Sequence, residues 1–211
     1  ISEGSFNSAF LTANTLNEEY NNKVYVIDTL NGATGGTLIY NIADGLIKEG
    51  YSAKSVIEYL NILKNNILTS FYVPDPKGFI RSGRNKSELC IKDKAILMGL
   101  KTALIAGIKF RVDFNEDGNL YTKKIFKSKR KDGMMKLTQN IINEQNKYEY
   151  DPKIAVVGTV KERYVLIDDI ITYLEDLNYF DKIIRKDING IVAAYGSEDL
   201  CGISLIKKYF N

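Results

Sequence analysis

The stretch KVYVIDTLNGATGGTLIYNIA, residues 23–43, decides how the chain reads. Val24, Val26 and Ile27 with Tyr25 form a short apolar run, the composition of a strand buried on both faces. The run ends at Asp28-Thr29 and passes into a glycine-bearing loop. Leu38, Ile39, Ile42, Leu46 and Ile47 then recur at helical spacing. A strand feeding a helix through such a loop is half of a βαβ unit. Ligands of open parallel sheets sit beyond the carboxyl ends of the strands, so residues 29–37 are the first place to look for a site.

The 211 residues suit one large domain or two small ones. Apolar content of 45% and charged content of 26% are ordinary for a soluble globular protein. No apolar run approaches the ~20 residues that span a bilayer and no signal peptide is visible, so a cytoplasmic location is expected. Two cysteines, Cys90 and Cys201, are too few for a disulfide framework and read as buried thiols. A net charge of +3 is too mild to imply nucleic acid. The chain has no histidine, which removes histidine acid–base catalysis, histidine metal ligation and the Ser-His-Asp triad together. Ile1 is not an initiator residue, and a preceding N-terminal portion is expected.

Residues 1–5 read as a strand end and a loop, followed by a helix capped near Ser5 that carries Phe6, Phe10, Ala13 and Leu16. A short Gly/Ser loop entering a helix offers amides and hydroxyls to an anion, and a plain N-cap explains the same residues. Gly50 reads as the left-handed end of the second helix, and Ser52 as the cap of a third bearing Val56, Ile57, Leu60 and Leu63. Residues 67–73 are an expected strand, broken by Pro74-Asp75-Pro76, which is the expected domain boundary.

Beyond it a helix is expected over 87–106. A β-hairpin follows, with period-2 alternation from Ile108 to Phe114, a turn at Asn115-Glu116-Asp117-Gly118 and a return strand from Leu120 to Phe126. Alternation predicts one covered face and one wetter face. Residues 123–131, KKIFKSKRK, are a dense basic run. A solvated strand edge is its ordinary meaning; an anion site, a docking patch or transient membrane-surface contact are the others. Expected next are a helix over 134–146, a strand over 154–160, a helix over 165–177, strands over 180–184 and 191–194, and a last helix over 199–210. The fold class is thus α/β. Residues 1–75 form the remainder of an N-terminal domain with a mostly parallel sheet, and residues 76–211 a C-terminal mixed-sheet sandwich.

The standard chemistries fail in turn. Gly32-Ala33-Thr34-Gly35-Gly36 has no following Gly-Lys-Ser/Thr and lacks the dinucleotide spacing. The 115–118 turn lacks the later ligands of a calcium loop. Metal ligands are not expected, and no nucleophile–base pair is visible.

Several stretches, in order, resemble the DegV family of bacterial fatty-acid-binding proteins, which includes the lipid-binding subunits of fatty acid kinase. Ile1-Ser2 with Gly4-Ser5-Phe6-Asn7-Ser8-Ala9 resembles the family's I-S-S-x-L-S-G-T-Y-Q-S-A, and Val26-Ile27-Asp28-Thr29 with Gly36 its V-I-D-S and small-residue loop. Gly45, Gly50 and Tyr51 with Ser52 resemble its helix end and G-x-S start, and residues 79–84 its Y-L-x-x-G-G-R. Ile108-Lys109 and Asp117-Gly118-Asn119-Leu120 resemble I-K-P and D-G-K-L. Gly190 to Tyr195, then Gly202, resemble the terminal G-x-x-x-x-H-T-G-P-G-x-x-G.

The resemblance implies two α/β domains holding a fatty acid between them, its carboxylate presented to a partner kinase that supplies the nucleotide chemistry. It assigns the carboxylate to Ser2, Gly4 and Ser5, with Lys127 at the family's Arg and Tyr195 at its His. Lys keeps the charge but not the bidentate fork; Tyr keeps one hydrogen bond. Phe110 replaces the Pro, and Gly196-Ser197-Glu198-Asp199 the T-G-P-G loop. The implied function is a non-catalytic lipid carrier with no cofactor beyond its bound fatty acid. Burial of about sixteen methylenes at ~0.8 kcal/mol each would outweigh an imperfect head-group contact. The alternative is a divergent paralogue that binds another small amphiphile or only a protein, for which Lys127→Ala and Tyr195→Phe would leave ligand affinity unchanged.

Overall fold

The computed structural model of the chain describes residues 3–21, 23–75, 102, 106–129, 132–144, 146, 149–160, 166–188, 192 and 199–208. Its helices are α1 (Glu3–Glu19), α2 (Thr34–Lys48), α3 (Ala53–Leu63), α4 (Gly133–Glu144) and α5 (Leu166–Asp176). Its strands are β1 (Ile67–Val73), β2 (Ile108–Phe114), β3 (Leu120–Lys127), β4 (Tyr150–Thr159), β5 (Ile183–Asp187) and β6 (Cys201–Lys207).

The strands make one six-stranded mixed sheet in the order β3-β2-β1-β6-β4-β5. Only β4 and β5 run parallel, joined through α5. The other pairs are antiparallel. β1 lies at the centre and is buried along its whole length. Its odd and even residues serve opposite faces, as strand geometry requires. Leu68 and Tyr72, with Val157, Ile203 and Leu205, pack against Met134, Leu137 and Ile141 of α4 and Ile167, Ile170 and Leu174 of α5. Ile67, with Val156 and Ile206, packs against Leu38 and Ile39 of α2 and Val56, Leu60 and Leu63 of α3. Phe71 and Val73 join Phe110, Val112, Ile188 and Leu200 in a third apolar cluster.

The α/β character and many elements match expectation. Ser52 caps α3 by accepting from the Ser55 N–H at 3.1 Å, and Gly50 takes φ 92°. The 108–126 hairpin is present, its turn closed by Asn115 Oδ1, which accepts from Asp117 and Asn119 N–H. β1 precedes the Pro-bounded point at 74–76 and β2 follows it, and the two are ladder partners.

Several expectations are corrected. The 24–27 run joins no ladder among the described residues. Tyr25 is exposed, and the N–H and C=O of Val24 bond instead to the side chain of Asn17, at 2.8 and 2.9 Å. The parallel sheet expected around that run is therefore replaced by the single mixed sheet. The segment expected as a final helix is β6, a central strand; Cys201, Ile203 and Leu205 face α4 and α5, while Gly202, Ser204 and Ile206 face α2. The strand expected at 180–184 runs instead from Ile183 to Asp187, and Val192, the described residue of the strand expected at 191–194, is helical. The expected wetter face of β2 is covered, since Lys109, Arg111 and Asp113 are all buried. The helix expected over 87–106 and Cys90 lie outside the described residues, apart from Thr102 and Ala106.

Cys201 is a buried free thiol, as expected. Burial pushes its pKa from the ordinary value near 9 up to about 11, against the opposing hydrogen bond to Thr159. The unfolded chain would release this proton from about pH 9, the folded chain only near 11. Stability associated with Cys201 is thus intact below pH 9 and lost as pH rises through 11. The loss should approach roughly 3 kcal/mol. Urea melts from pH 8 to 11 should show it, and Cys201→Ala, with nothing to titrate there, should lack it.

Candidate functional site

The loop from Asp28 to Ala33 delivers α2 to the sheet. Asp28 Oδ1 accepts from the Leu30 N–H at 3.1 Å, and the Thr29 hydroxyl donates to the Asn31 carbonyl at 2.8 Å. These side-chain bonds hold a backbone that has no ladder to satisfy it. Leu30 and Ala33 both take positive φ, 52° and 49°, which is costly for residues with a Cβ. The hairpin turn presses on this loop: a Cβ on Gly118 would stand 3.1 Å from Leu30 Cα.

The head of α2 is sunk into the sheet. Ser204 on β6 donates to the Thr34 hydroxyl at 2.8 Å. Ser204 has one hydroxyl proton, so Thr69 on β1 must be the donor in the 2.9 Å Thr69–Ser204 bond. The close approach needs small partners. A Cβ on Gly158 would stand 2.6 Å from Thr34 Cγ2, and one on Gly202 would stand 2.9 Å from Phe71 and 3.2 Å from the Thr34 hydroxyl.

The outer side of the same turn borders a cavity of about 490 Å³. Ala33, Gly36, Thr37 and Tyr40 form one wall; Lys186, Ile188 and Val192 form the other. Ala33 gives α2 no side-chain cap; in its first turn the Gly35 N–H bonds to the Gly32 carbonyl at 2.9 Å, which leaves the Gly36 N–H at the cavity for a polar ligand atom. Ala33, Ile188 and Val192 also pack in the third apolar cluster, so the cavity borders on greasy surface. Asn41 and Asp187 line it as well, so the space mixes polar and apolar surface, as the site of an amphiphile does. Residues 29–37, singled out from sequence, do border a cavity, although no strand leads into them.

Of the expected head-group residues, Ser2 and Tyr195 lie outside the described residues. Gly4 and Ser5 are in the first turn of α1, where a loop with a cap at Ser5 was expected; helix has begun by Glu3. Lys127 is exposed, ends β3 and does not border this cavity, but its ladder partner Ile108 packs against the third apolar cluster. Sequence reasoning missed the Thr34–Ser204–Thr69 hydroxyl chain and the part played by Ile188 and Val192. The glycines at 158 and 202 were the available signal, since each marks where another element comes close.

No group of three or more His, Cys, Asp or Glu side chains that could hold a metal occurs among the described residues. No described helix is long and apolar enough to cross a membrane.

A search of curated proteins found no match. Solved structures with the same fold include a DegV protein from Eubacterium eligens loaded with heptadecanoic acid (TM-score 0.78, 16% identity, covering 97% of this chain and 69% of that one). Another is the fatty acid kinase B3 protein of Streptococcus pneumoniae loaded with linoleic acid (0.75, 20%, 97% and 68%). A third is a stearic-acid-binding protein from Eubacterium ventriosum (0.69, 18%, 98% and 67%). At these identities the likeness establishes the shared fold. A family model described as "Uncharacterised protein, DegV family" matches residues 2–208, and on that match the chain belongs to the DegV family.

Proposed function

We propose that this chain binds a long-chain fatty acid at the head of α2 and serves as a carrier rather than a catalyst. The observation that carries the reading is the cavity's shared wall. Ala33, Ile188 and Val192 border the space and pack on Phe71, Val73, Phe110, Val112 and Leu200, so an acyl chain entering there meets apolar surface. The fatty acids named in the three neighbouring structures support the ligand class. Ser2, Gly4, Ser5, Lys127 and Tyr195 are proposed to hold the carboxylate; Tyr195 is close in sequence to Val192 of the cavity wall. Presentation of that carboxylate to a kinase is the finer part of the proposal, and the name of the Streptococcus pneumoniae neighbour supports it.

Gly36 supplies the test. It borders the cavity, and a Cβ there would meet nothing within 4 Å. Gly36→Leu should therefore fold as well as the parent. It should even gain up to about 1 kcal/mol by removing a glycine from a helix. Its side chain would occupy the space of ligand methylenes, and displacing two of them costs about tenfold in affinity. Titration with a fluorescent fatty acid should show that loss at an unchanged or higher Tm. Unchanged affinity in a folded Gly36→Leu would place the acyl chain elsewhere.

A further inference from the structure

The residues that lead into α2 are strained as no other described segment is. Four non-glycine residues take positive φ among the described residues: Asn21, Leu30, Ala33 and Asn178. Asparagine adopts that region at little cost, because its short polar side chain bonds locally. Leu30 and Ala33 have no such relief, and both belong to this one loop. Ala33 combines φ 49° with ψ −112°, outside the left-handed well altogether. Between them Asn31 is only 3% exposed; its Nδ2 donates to the Thr29 carbonyl, but its Oδ1 has no donor among the described residues. A buried acceptor left unpaired is unfavourable. These three features fall within residues 30–33.

Packing imposes them. The hairpin turn bears on one end of the loop, where a Cβ on Gly118 would stand 3.1 Å from Leu30 Cα. At the other end the Thr34 hydroxyl is tied to Ser204 on β6. The side-chain bonds of Asp28, Thr29 and Asn31 run to the loop's own backbone, so they would survive a movement of the loop. Strain of this kind persists only where the surroundings over-determine it. Lifting the head of α2 from the sheet would release it. Ala33, Gly36, Thr37 and Tyr40 form one wall of the 490 Å³ cavity, so the same movement opens that cavity along a whole side.

We propose that the head of α2 is a sprung gate on this cavity: strain at Leu30 and Ala33 lowers the cost of a lifted state, through which the cargo enters and leaves. Fatty acid as the cargo rests on the function proposed above; the spring does not.

Leu30 is the residue to change, because it does not border the cavity. Leu30→Gly relieves the positive φ, and Leu30→Asn does so without glycine's added freedom in the unfolded chain. Hydrogen exchange of the full chain, read over residues 37–41 against α3, should slow about threefold to tenfold in both variants with no ligand present. Release and uptake of a fluorescent fatty acid should slow by the same factor at unchanged affinity, since a gate alters both rates together. Thermal melts confirm folding. Exchange that is unchanged or faster in both folded variants would overturn the spring. Slowed exchange with unchanged release would overturn the gate. A parent protein that takes up no fatty acid would refute the lipid reading instead, and slowed exchange in the variants would still uphold the spring, because that readout needs no ligand.

Discussion

Gly35→Ala is expected to destabilise the protein by about 2–3 kcal/mol and to lower Tm by about 5–10 °C. A Cβ at this position would run into the Thr69 hydroxyl and would stand 2.9 Å from Cβ and Oδ1 of Asn31. Thr69 is on the central strand and Asn31 is pinned in the loop that opens α2, so neither can retreat cheaply. The neighbouring glycine is the control. Gly36 is in the same helical turn, with open space around it. Both substitutions relieve the conformational freedom of a helical glycine, so their difference isolates the collision. Thermal melts that place Gly35→Ala and Gly36→Ala within a degree or so of each other would show that α2 does not dock this closely.

Arg111→Met should cost more, roughly 3–5 kcal/mol, because it strands a buried carboxylate. Arg111 and Asp113 are two residues apart on β2, so both side chains leave the strand on the same face, where each is almost wholly buried. Ser70 alone cannot neutralise Asp113. Set against the ~5–15 kcal/mol that holds a typical domain together, this loss would leave a marginal protein. Arg111→Met/Asp113→Leu, which removes both charges, should recover most of it. Urea denaturation of the two single variants and the double variant gives the coupling directly. A double variant no more stable than Arg111→Met would mean that the pair's mutual attraction, rather than its isolation from water, dominates.

The legible parts of this chain are those where one spacing has one meaning. Ile108 to Phe114 alternates strictly before an Asn-Glu-Asp-Gly turn and a return strand, and α3 has a serine cap before a single apolar face, so both are plain in the sequence. β6 is not. Leu200, Ile203 and Ile206 are three apart, which fits a helix, while Cys201, Ile203 and Leu205 alternate, which fits a strand. What decides between them is tertiary: β1 and β4 flank this segment and supply ladder partners on both sides. The 24–27 run fails for the converse reason. Its composition suits a strand, but none of the six strands pairs with it, and Asn17 takes up the backbone bonds of Val24.

The candidate site was legible as a place and not as a set of contacts. The small residues of the 29–37 loop mark where a backbone can come close to something, and α2 does begin there beside a cavity. The Thr34–Ser204–Thr69 bonds link residues as much as 170 positions apart, which no local pattern reveals. Buried charge on β2 was hidden in the same way, because alternation shows that Arg111 and Asp113 share a face without showing what covers it.

Mass spectrometry of the natively purified protein, followed by delipidation and reloading with labelled fatty acid, addresses carriage most directly. The expected result is a single long-chain fatty acid on each chain, restored on reloading, with about tenfold weaker uptake in Gly36→Leu. A protein that emerges lipid-free and takes up no labelled fatty acid would contradict it.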